Sequence, residues 1–370
     1  MRTGRFLTAV GIAVAAVVPL SLTAQAGPGP KADAGSEDRG ADVRVEVFDE
    51  ERPVGHADVP SRAPQALLKN GRANTAADGD VHEIIKNGDV GDRVDIVFVG
   101  DGYTEAELPD FHTDVKEKWK DVTDIEPYTT HAELFNVWAV DAVSTDSGVS
   151  GDPTADVQKN TALGSHFFCN DTERLLCVDL PRVESYAGKA PAADLVIVVS
   201  NSEKYGGAGY SGVNSPVGYD GVATLSSSHD DSGQIAIHET GHSLGLLADE
   251  YWYDESRYEG DETGSINTSV YGADEMAQRQ AKWHRWLGEE SPDGGTVGTY
   301  EGASYNAYGI NRPTDNSMMR TLGREFNLPG REAMVAGFYR YATPLATDRR
   351  TEAARKSIRD PELLKLVDTK

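Results

Sequence analysis

The sequence predicts an α/β (α+β) fold in which helices pack on a mixed, twisted β-sheet. Strand-like apolar runs alternate with stretches of helical periodicity between residues 81 and 345, and this alternation is typical of a sheet covered by helices. A stretch of that length is sufficient to form one sizeable domain. No internal repeats interrupt it. We therefore expect one principal domain over residues 81–345.

The elements of this domain can be predicted in order along the chain. The first strand is predicted over residues 93–100, where apolar residues dominate, and Asp101-Gly102-Tyr103 follows as a tight turn. A helix is predicted over residues 108–121, because Pro109 suits a first helical turn and apolar residues recur at intervals of three and four. Further strands are predicted over 135–143, 193–200 and 221–225, and a final helix over 331–341.

The short strand predicted over residues 221–225 directly precedes the most informative helix of the chain. An edge strand at this point would hold an extended peptide by main-chain pairing. We therefore expect residues 221–225 to form an edge of the sheet.

Three segments are predicted outside this domain. Residues 1–26 carry Arg2 and Arg5, an apolar run and a closing Ala24-Gln25-Ala26, the pattern of a cleaved secretory signal peptide. Residues 27–80 are rich in Gly, Pro, Ala and Asp, contain one strand-like run over 43–48, and predict a flexible linker or propeptide-like segment with little core of its own. Residues 346–370 predict a charged C-terminal tail. We therefore expect the protein to be secreted and extracellular, without membrane attachment once the signal peptide has been cleaved.

The chain has 35 basic and 60 acidic residues and a net charge of −25. Nucleic acid and anionic membrane surfaces are therefore poor partners. The two cysteines, Cys169 and Cys177, are predicted to form a disulfide because export leads to an oxidising compartment. Asp-rich loops such as 146–156 could bind Ca²⁺, although no twelve-residue calcium-loop motif is present.

An H-E-x-x-H motif starts at His238 and ends at His242. On a helix, residues four apart lie one turn apart on nearly the same face, so both imidazoles can bind one metal ion. Glu239 lies about 100° around the helix, where its carboxylate can reach a metal-activated water without binding the metal. The motif predicts a Zn²⁺ site with Glu239 as the general base. The alternative is a buried amphipathic helix with two hydrogen-bonded histidines.

The helix that carries the motif is expected to begin after Asp231, an N-cap residue, and to end at Gly245, where a positive φ would turn the chain sharply. The turn would bring Asp249 back to the metal as the third ligand. Glu250 is the rival for this role, since its longer side chain could reach the metal from the next position while Asp249 orients a histidine.

These motifs resemble those of the zincin superfamily and, within it, the bacterial IgA metallopeptidase family (metallopeptidase family sixty-four). The resemblance rests on residues 93–104, on the extended H-E-x-x-H-x-x-G-x-x-x-D-E-Y run over 238–251, and on Arg312-Pro313 followed by a methionine-containing turn over 316–320. It covers about residues 81–345. It implies a zincin-like fold with zinc on the motif helix, a Met-turn and a C-terminal helix.

The resemblance also implies roles for further residues. Met319 lies two residues after Ser317 and matches the Met-turn that supports the histidine ligands from below. The tyrosine that usually lies two residues after this methionine is replaced by Thr321. The candidates for contact with the oxyanion or the substrate are therefore Tyr305, Tyr308 and Arg320.

Together these observations predict a secreted zinc endopeptidase that acts on protein or peptide substrates through a metal-activated water. Two alternatives remain at this point. One is a secreted binding protein that has kept a zincin scaffold without catalysis, which the presence of Glu239 disfavours. The other is a zinc hydrolase of a non-peptide amide or ester.

Overall fold

An eight-stranded mixed sheet occupies the centre of the protein. The computed structural model describes residues 39–49, 51–213, 215–219, 221–343 and 349–368, and the predicted signal peptide lies outside these ranges. The strand order is β2-β1-β7-β8-β6-β4-β5-β3. The strands are β1 Asp42–Phe48, β2 Pro53–Pro60, β3 Val81–Ile85, β4 Val94–Asp101, β5 Phe135–Val140, β6 Leu195–Ser200, β7 Gly207–Ser211 and β8 Gly221–Ser226.

Strands β5, β4, β6 and β8 run parallel to one another. Strands β7, β1 and β2 are added on one side and β3 on the other, each antiparallel to the strand it joins. The central strands are buried on both faces, which explains their nearly continuous apolar runs. In β4, Ile96 and Phe98 contribute to one apolar core while Val97 and Val99 contribute to the other. The mixed α/β architecture expected from the sequence is present.

Helices cover both faces of this sheet. Helices α2, α5 and α7 supply apolar side chains to one core, and α4 supplies Val183 and Tyr186 to the other. The helices are α1 Gln65–Leu68, α2 Leu108–Thr123, α3 Tyr128–His131, α4 Leu180–Ala187, α5 Ser232–Ser243, α6 Ala273–Arg279, α7 Leu328–Tyr341, α8 Arg349–Ser357 and α9 Pro361–Asp368. The helices in the described part of the chain all fall short of the length and apolar character that a bilayer-spanning segment requires.

A smaller sheet follows helix α5 along the chain. It consists of β9 Trp252–Arg257, β10 Tyr300–Ala303 and β11 Tyr305–Arg312 in the order β10-β11-β9. Cys169 and Cys177 are joined by a disulfide in the connection between β5 and α4.

The expectation of a flexible segment with little core does not hold for the part of residues 27–80 that the structure describes. Residues 42–60 form β1 and β2 of the main sheet, and Val45, Phe48 and Val59 are buried in its cores. The strand-like run 43–48 corresponds to β1, whereas β2 was missed because it has little apolar alternation of its own. The hairpin is stabilised by pairing with β7 rather than by its own composition.

Two further expectations are corrected. Residues 349–368 form helices α8 and α9, not a solvated tail, because Ala354, Ile358 and Val367 pack into the core next to α7. Strand β8 is not an edge of the sheet, because β7 pairs with it antiparallel and β1 and β2 follow outside β7. The sequence of β7, Gly-Ala-Gly-Tyr-Ser, has too little strand character to reveal this covering strand.

Candidate metal centre

Helix α5 positions the two histidines of the motif. It runs from Ser232 to Ser243, with Asp231 at the N-cap, although the Asp231 side chain makes no capping hydrogen bond. Ile237 and Leu244 are buried on the core side of the helix, as expected. The close approach of the Met319 sulfur explains Gly241, because a Cβ at this position would lie 2.6 Å from that atom.

The helix ends two residues before the predicted stop. Its last residue is Ser243, and the positive φ occurs at Leu246, at 50°, not at Gly245. Gly245 is required for another reason, since a Cβ there would lie 2.7 Å from the Met334 sulfur of α7. The chain nevertheless turns back, because Leu247 N donates to Gly241 O at 3.1 Å. This turn brings Asp249 beside the histidines.

Both histidines have a fixed orientation. Nδ1 of His238 bonds to the carbonyl oxygen of Met318 at 3.0 Å, and Nδ1 of His242 bonds to the carbonyl oxygen of Leu247 at 2.8 Å. A carbonyl oxygen can only accept, so each Nδ1 carries the proton. In the neutral imidazoles, both Nε2 atoms therefore point lone pairs into the site, and they lie 3.1 Å apart.

Asp249 lies directly beside this pair. Its Oδ1 atom is 3.3 Å from Nε2 of both His238 and His242, and its Oδ2 accepts a hydrogen bond of 2.6 Å from the Tyr305 hydroxyl. Tyr305 thus holds Asp249 in place, whereas the sequence had suggested contact with an oxyanion or a substrate.

Glu250 lies in a separate polar pocket. Its carboxylate accepts hydrogen bonds from Asn267, Ser317 and Asn327 at 2.7–3.0 Å. Asn327 in turn caps helix α7 through Gly330 N at 2.9 Å. Glu250 therefore connects the methionine-containing turn to α7, and Asp249 is the acidic residue that the structure brings to the histidines.

Sequence analysis did not identify Glu46 as a site residue. This residue of β1 is 3% exposed, and its Oε2 lies 3.1 Å from Nε2 of His238 and 3.4 Å from Nε2 of His242. Its other oxygen accepts a hydrogen bond of 2.7 Å from the Tyr251 hydroxyl. The sequence indicated only a strand-like run over residues 43–48 and gave no role to Glu46.

The four facing atoms have the shape of a metal coordination shell. These atoms, Oε2 of Glu46, Nε2 of His238 and His242 and Oδ1 of Asp249, form a group with metal-binding potential. Five of the six distances between them are 3.1–3.4 Å. Zinc–ligand bonds of about 2.0–2.1 Å in tetrahedral geometry separate neighbouring ligand atoms by about 3.3 Å. The cluster therefore matches a tetrahedral shell on these five distances.

Glu239 borders this cluster. It is 6% exposed, and its Oε1 has no hydrogen-bond partner among the described residues. Burial and the neighbouring Glu46 carboxylate raise the pKa of Glu239 to about 8, although the histidines oppose this shift. A buried carboxyl group with a pKa near neutrality can both accept and return a proton.

The cluster has an excess of carboxylates, and this sets its proton affinities. Burial alone would lower the pKa of His238, but Glu46 and Asp249 raise it to about 10. The pKa of His242 is raised in the same way. Burial opposes ionisation of Asp249, yet the two histidines lower its pKa. The carboxylates of Glu46 and Asp249 therefore stabilise a positive charge located beside them in the cluster.

The methionine-containing turn lies under the helix. Met318 and Met319 are both buried. Met319 places its sulfur against Gly241, and Met318 contributes the carbonyl that orients His238.

The other two candidates lie away from the histidines. The Tyr308 side chain is 44% exposed and lies 5.9 Å from the Arg257 guanidinium. Arg320 packs over Trp252 at 4.7 Å and donates to the Asp315 carbonyl. Arg320 also lines a neighbouring cavity of about 430 Å³ with Arg52, Tyr251 and Tyr253.

The acidic loop 146–156 uses its carboxylates within the protein. Asp146 accepts a hydrogen bond from Asn160 N at 2.7 Å, and Asp152 accepts one from the Ser202 hydroxyl at 2.7 Å. These contacts explain the two aspartates without a bound Ca²⁺.

The protein combines a mixed α/β fold with a buried histidine–carboxylate cluster beside helix α5. These two features place it among proteins with a candidate metal centre. Residues 82–294 and 272–338 match the family described as IgA Peptidase M64. The matched region covers more than half of the chain, so the chain belongs to this peptidase family and the resemblance stated from the sequence is confirmed. A search of curated proteins found no match.

Proposed function

We propose that the protein is an exported, zinc-dependent endopeptidase with a zincin-like catalytic domain. His238, His242 and Asp249 would hold Zn²⁺, and Glu239 would be the general base. The observation that carries this proposal is the approach of the two Nε2 atoms to 3.1 Å. Membership of a peptidase family supports the reaction class.

The residues fit a divalent metal ion. When both imidazoles are neutral, with their Nδ1 atoms committed to carbonyl oxygens, the two Nε2 lone pairs face each other across 3.1 Å, where one divalent cation can accept both. Oδ1 of Asp249 has no hydrogen-bond partner among the described residues beyond the imidazoles it faces. Two histidines and one carboxylate are an established donor set for catalytic zinc, and Tyr305 provides the outer hydrogen bond that orients such a carboxylate.

When bound, Zn²⁺ supplies a Lewis acid that polarises the scissile carbonyl and lowers the pKa of water. Glu239 would take a proton from the attacking water and return it to the leaving amine. Its Oε1 is free of other hydrogen bonds among the described residues, so the carboxylate can serve as this acceptor. Tyr251 is a candidate for oxyanion contact, because its hydroxyl points at the carboxylate of Glu46 beside the histidines.

Replacing Glu239 by Gln tests the proposal, since it preserves shape and removes the base. We expect about one zinc per chain to remain and hydrolysis of a denatured protein to fall by roughly 10²- to 10⁴-fold. Glu255→Gln, an exposed residue of β9, is the matched control and should leave hydrolysis unchanged.

Metal analysis, a chelator control and mass spectrometry of the products complete this experiment. Zinc binding without hydrolysis of any peptide bond would favour a binding protein, and cleavage confined to small amides would favour a non-peptide hydrolase. An active Glu239→Gln variant would show that the base is elsewhere.

Export is the second part of the proposal. It is supported by the A-x-A pattern at Ala24-Gln25-Ala26 and by the disulfide between Cys169 and Cys177. N-terminal sequencing of protein from the culture medium should begin at Gly27 or later. Material that retains the apolar run would instead be anchored in the membrane.

A further inference from the structure

Strand β1 lies across the mouth of the candidate metal centre. It pairs antiparallel with β7 at two positions, Val45 with Tyr210 and Glu46 with Gly209. Gly209 is the residue against which the Glu239 carboxylate packs. The main-chain pairing of β1 is therefore centred on the catalytic residues, at the place where an extended peptide would add to the edge of β7.

Glu46 occupies the position that a substrate or water needs. A catalytic zinc site normally has three protein ligands and one open position. His238, His242 and Asp249 account for the three, and Oε2 of Glu46 lies at the fourth corner, 3.1 Å and 3.4 Å from the two imidazoles. Tyr251 fixes the second oxygen of Glu46 at 2.7 Å. With Glu46 in place, the site has the closed shell of a structural metal site.

The hairpin also fills the cleft around the metal centre. Phe48 is buried and meets the His238 ring edge-on, with 5.5 Å between the ring centroids. His56 of β2 lies against Tyr305, with 4.8 Å between the ring centroids. The space left beside Glu239 and His242 is about 190 Å³, which is below the roughly 300–1,000 Å³ of a typical ligand site.

The hairpin lies outside the region that matches the peptidase family, which begins at residue 82. Residues 61–80 connect the two, and they include the exposed turn at residues 69–70 that follows helix α1. Exposed loop segments of this kind are preferred sites of proteolytic cleavage. A cut here would separate the hairpin from the family domain without breaking any of its other strands.

We propose that residues 39–60 are an inhibitory pro-segment, in which Glu46 takes the fourth metal position and β1 takes the place of a substrate strand on β7. This inference rests on the zinc site proposed above. Cleavage adds water across one peptide bond between residues 61 and 81 and leaves a carboxylate and an amine. Loss of the hairpin then opens the fourth metal position and exposes the edge of β7.

Access to the metal is the direct test, and it can be measured without activity. The full chain is prepared in a Glu239→Gln background, which prevents self-cleavage, and is loaded with Zn²⁺ or Co²⁺. Acetohydroxamate, a small metal ligand, is titrated into this protein and into versions that also carry Glu46→Gln, Glu46→Asp or Asp58→Asn. Asp58 is an exposed residue of β2, so it controls for the loss of one charge from the same hairpin.

We expect acetohydroxamate to bind at least about tenfold more tightly to the Glu46→Gln chain, because a position that is filled in nine of ten molecules weakens a competing ligand by that factor. Glu46→Asp keeps the charge but shortens the reach, so it should behave like Glu46→Gln. The Asp58→Asn chain should bind like its parent. The visible spectrum of the Co²⁺ protein should change with the two Glu46 variants alone, and thermal unfolding verifies that each chain is folded.

Processing gives an independent second measurement. Active protein with Glu239 intact should have its N-terminus at one of residues 62–81, and unprocessed chain should be inactive. Equal acetohydroxamate affinity in all four chains, or full activity of a chain that still contains residues 39–60, would overturn the pro-segment while leaving the zinc site intact. Failure of every chain to bind zinc would overturn the proposed function and this inference together.

Discussion

A Cβ atom on Gly209 would lie 1.8 Å from Oε1 of Glu239. Gly209 is in β7 and pairs with Ala223 on one side and Glu46 on the other. The backbone of β7 therefore forms the wall that holds the Glu239 carboxylate. Only a residue without a side chain leaves room for the carboxylate here, so this glycine is required by a close approach and not by its backbone conformation.

Gly209→Ala should displace Glu239 while leaving the ligands of the metal in place. We expect zinc content to stay near one per chain and the rate of peptide hydrolysis to fall by about 10²-fold, the typical effect of misplacing a catalytic group by about 1 Å. Gly264→Ala is the control, since a Cβ at that glycine meets no atom within 4 Å. Unchanged hydrolysis in Gly209→Ala would mean that Glu239 works from another position.

Asp249 and Glu250 should respond differently to removal of their carboxylates. Asp249→Ala should weaken zinc binding by more than the roughly 10–100-fold cost of losing an outer hydrogen-bond partner. Glu250→Ala should instead lower the unfolding temperature, because it leaves the buried Asn267, Ser317 and Asn327 donors unpaired, at about 1–3 kcal/mol for each unsatisfied group. Chelator competition and thermal unfolding measure the two effects. Loss of zinc in Glu250→Ala alone would exchange the two roles.

Tyr305→Phe removes the hydroxyl that donates to Asp249 at 2.6 Å. We expect zinc affinity to fall by about 10–100-fold, as for other partners of metal ligands. Tyr308→Phe alters an exposed ring on the same strand and should have no effect. A Tyr305→Phe protein with normal zinc affinity but a reduced kcat would support the oxyanion role suggested by the sequence.

His166 should make folding stability depend on pH. Burial lowers its pKa below the ordinary value of 6.5, although the hydrogen bond to Gly164 O and the charge of Asp101 oppose the shift. As pH falls below 6.5, the unfolded chain takes up a proton that the folded chain does not, so stability is lost on acidification.

His166→Gln removes this titration and keeps a hydrogen-bond donor. The variant should gain stability relative to the parent between about pH 7.5 and about pH 5.5. Thermal unfolding at both pH values, with equal metal content, measures the difference. A difference between the two proteins that stays constant over this range would show that His166 titrates normally in the folded state.

The sequence by itself determined the elements whose signals are local. The buried strand β4 and the helices α2 and α7 were predicted within a few residues, because a strand buried on both faces and an amphipathic helix each impose a periodic pattern on neighbouring residues. The pairing of His238 with His242 also follows from helical geometry alone. Asp249 was predicted over Glu250 as the third metal ligand, because a short turn after the helix restricts which residue can reach the histidines.

Only the tertiary structure placed Glu46, Gly209 and Tyr251 around the same cluster. Glu46 lies 192 residues from His238 along the chain, and sheet pairing through β7 is what joins them. Strands pair through main-chain hydrogen bonds, which depend little on side-chain identity. The sequences of β7 and β2 therefore do not indicate which strands they pair with. The roles of Tyr305 and Glu250 were decided in the same way, because a hydroxyl or a carboxylate acts through whichever group the fold places within hydrogen-bond distance.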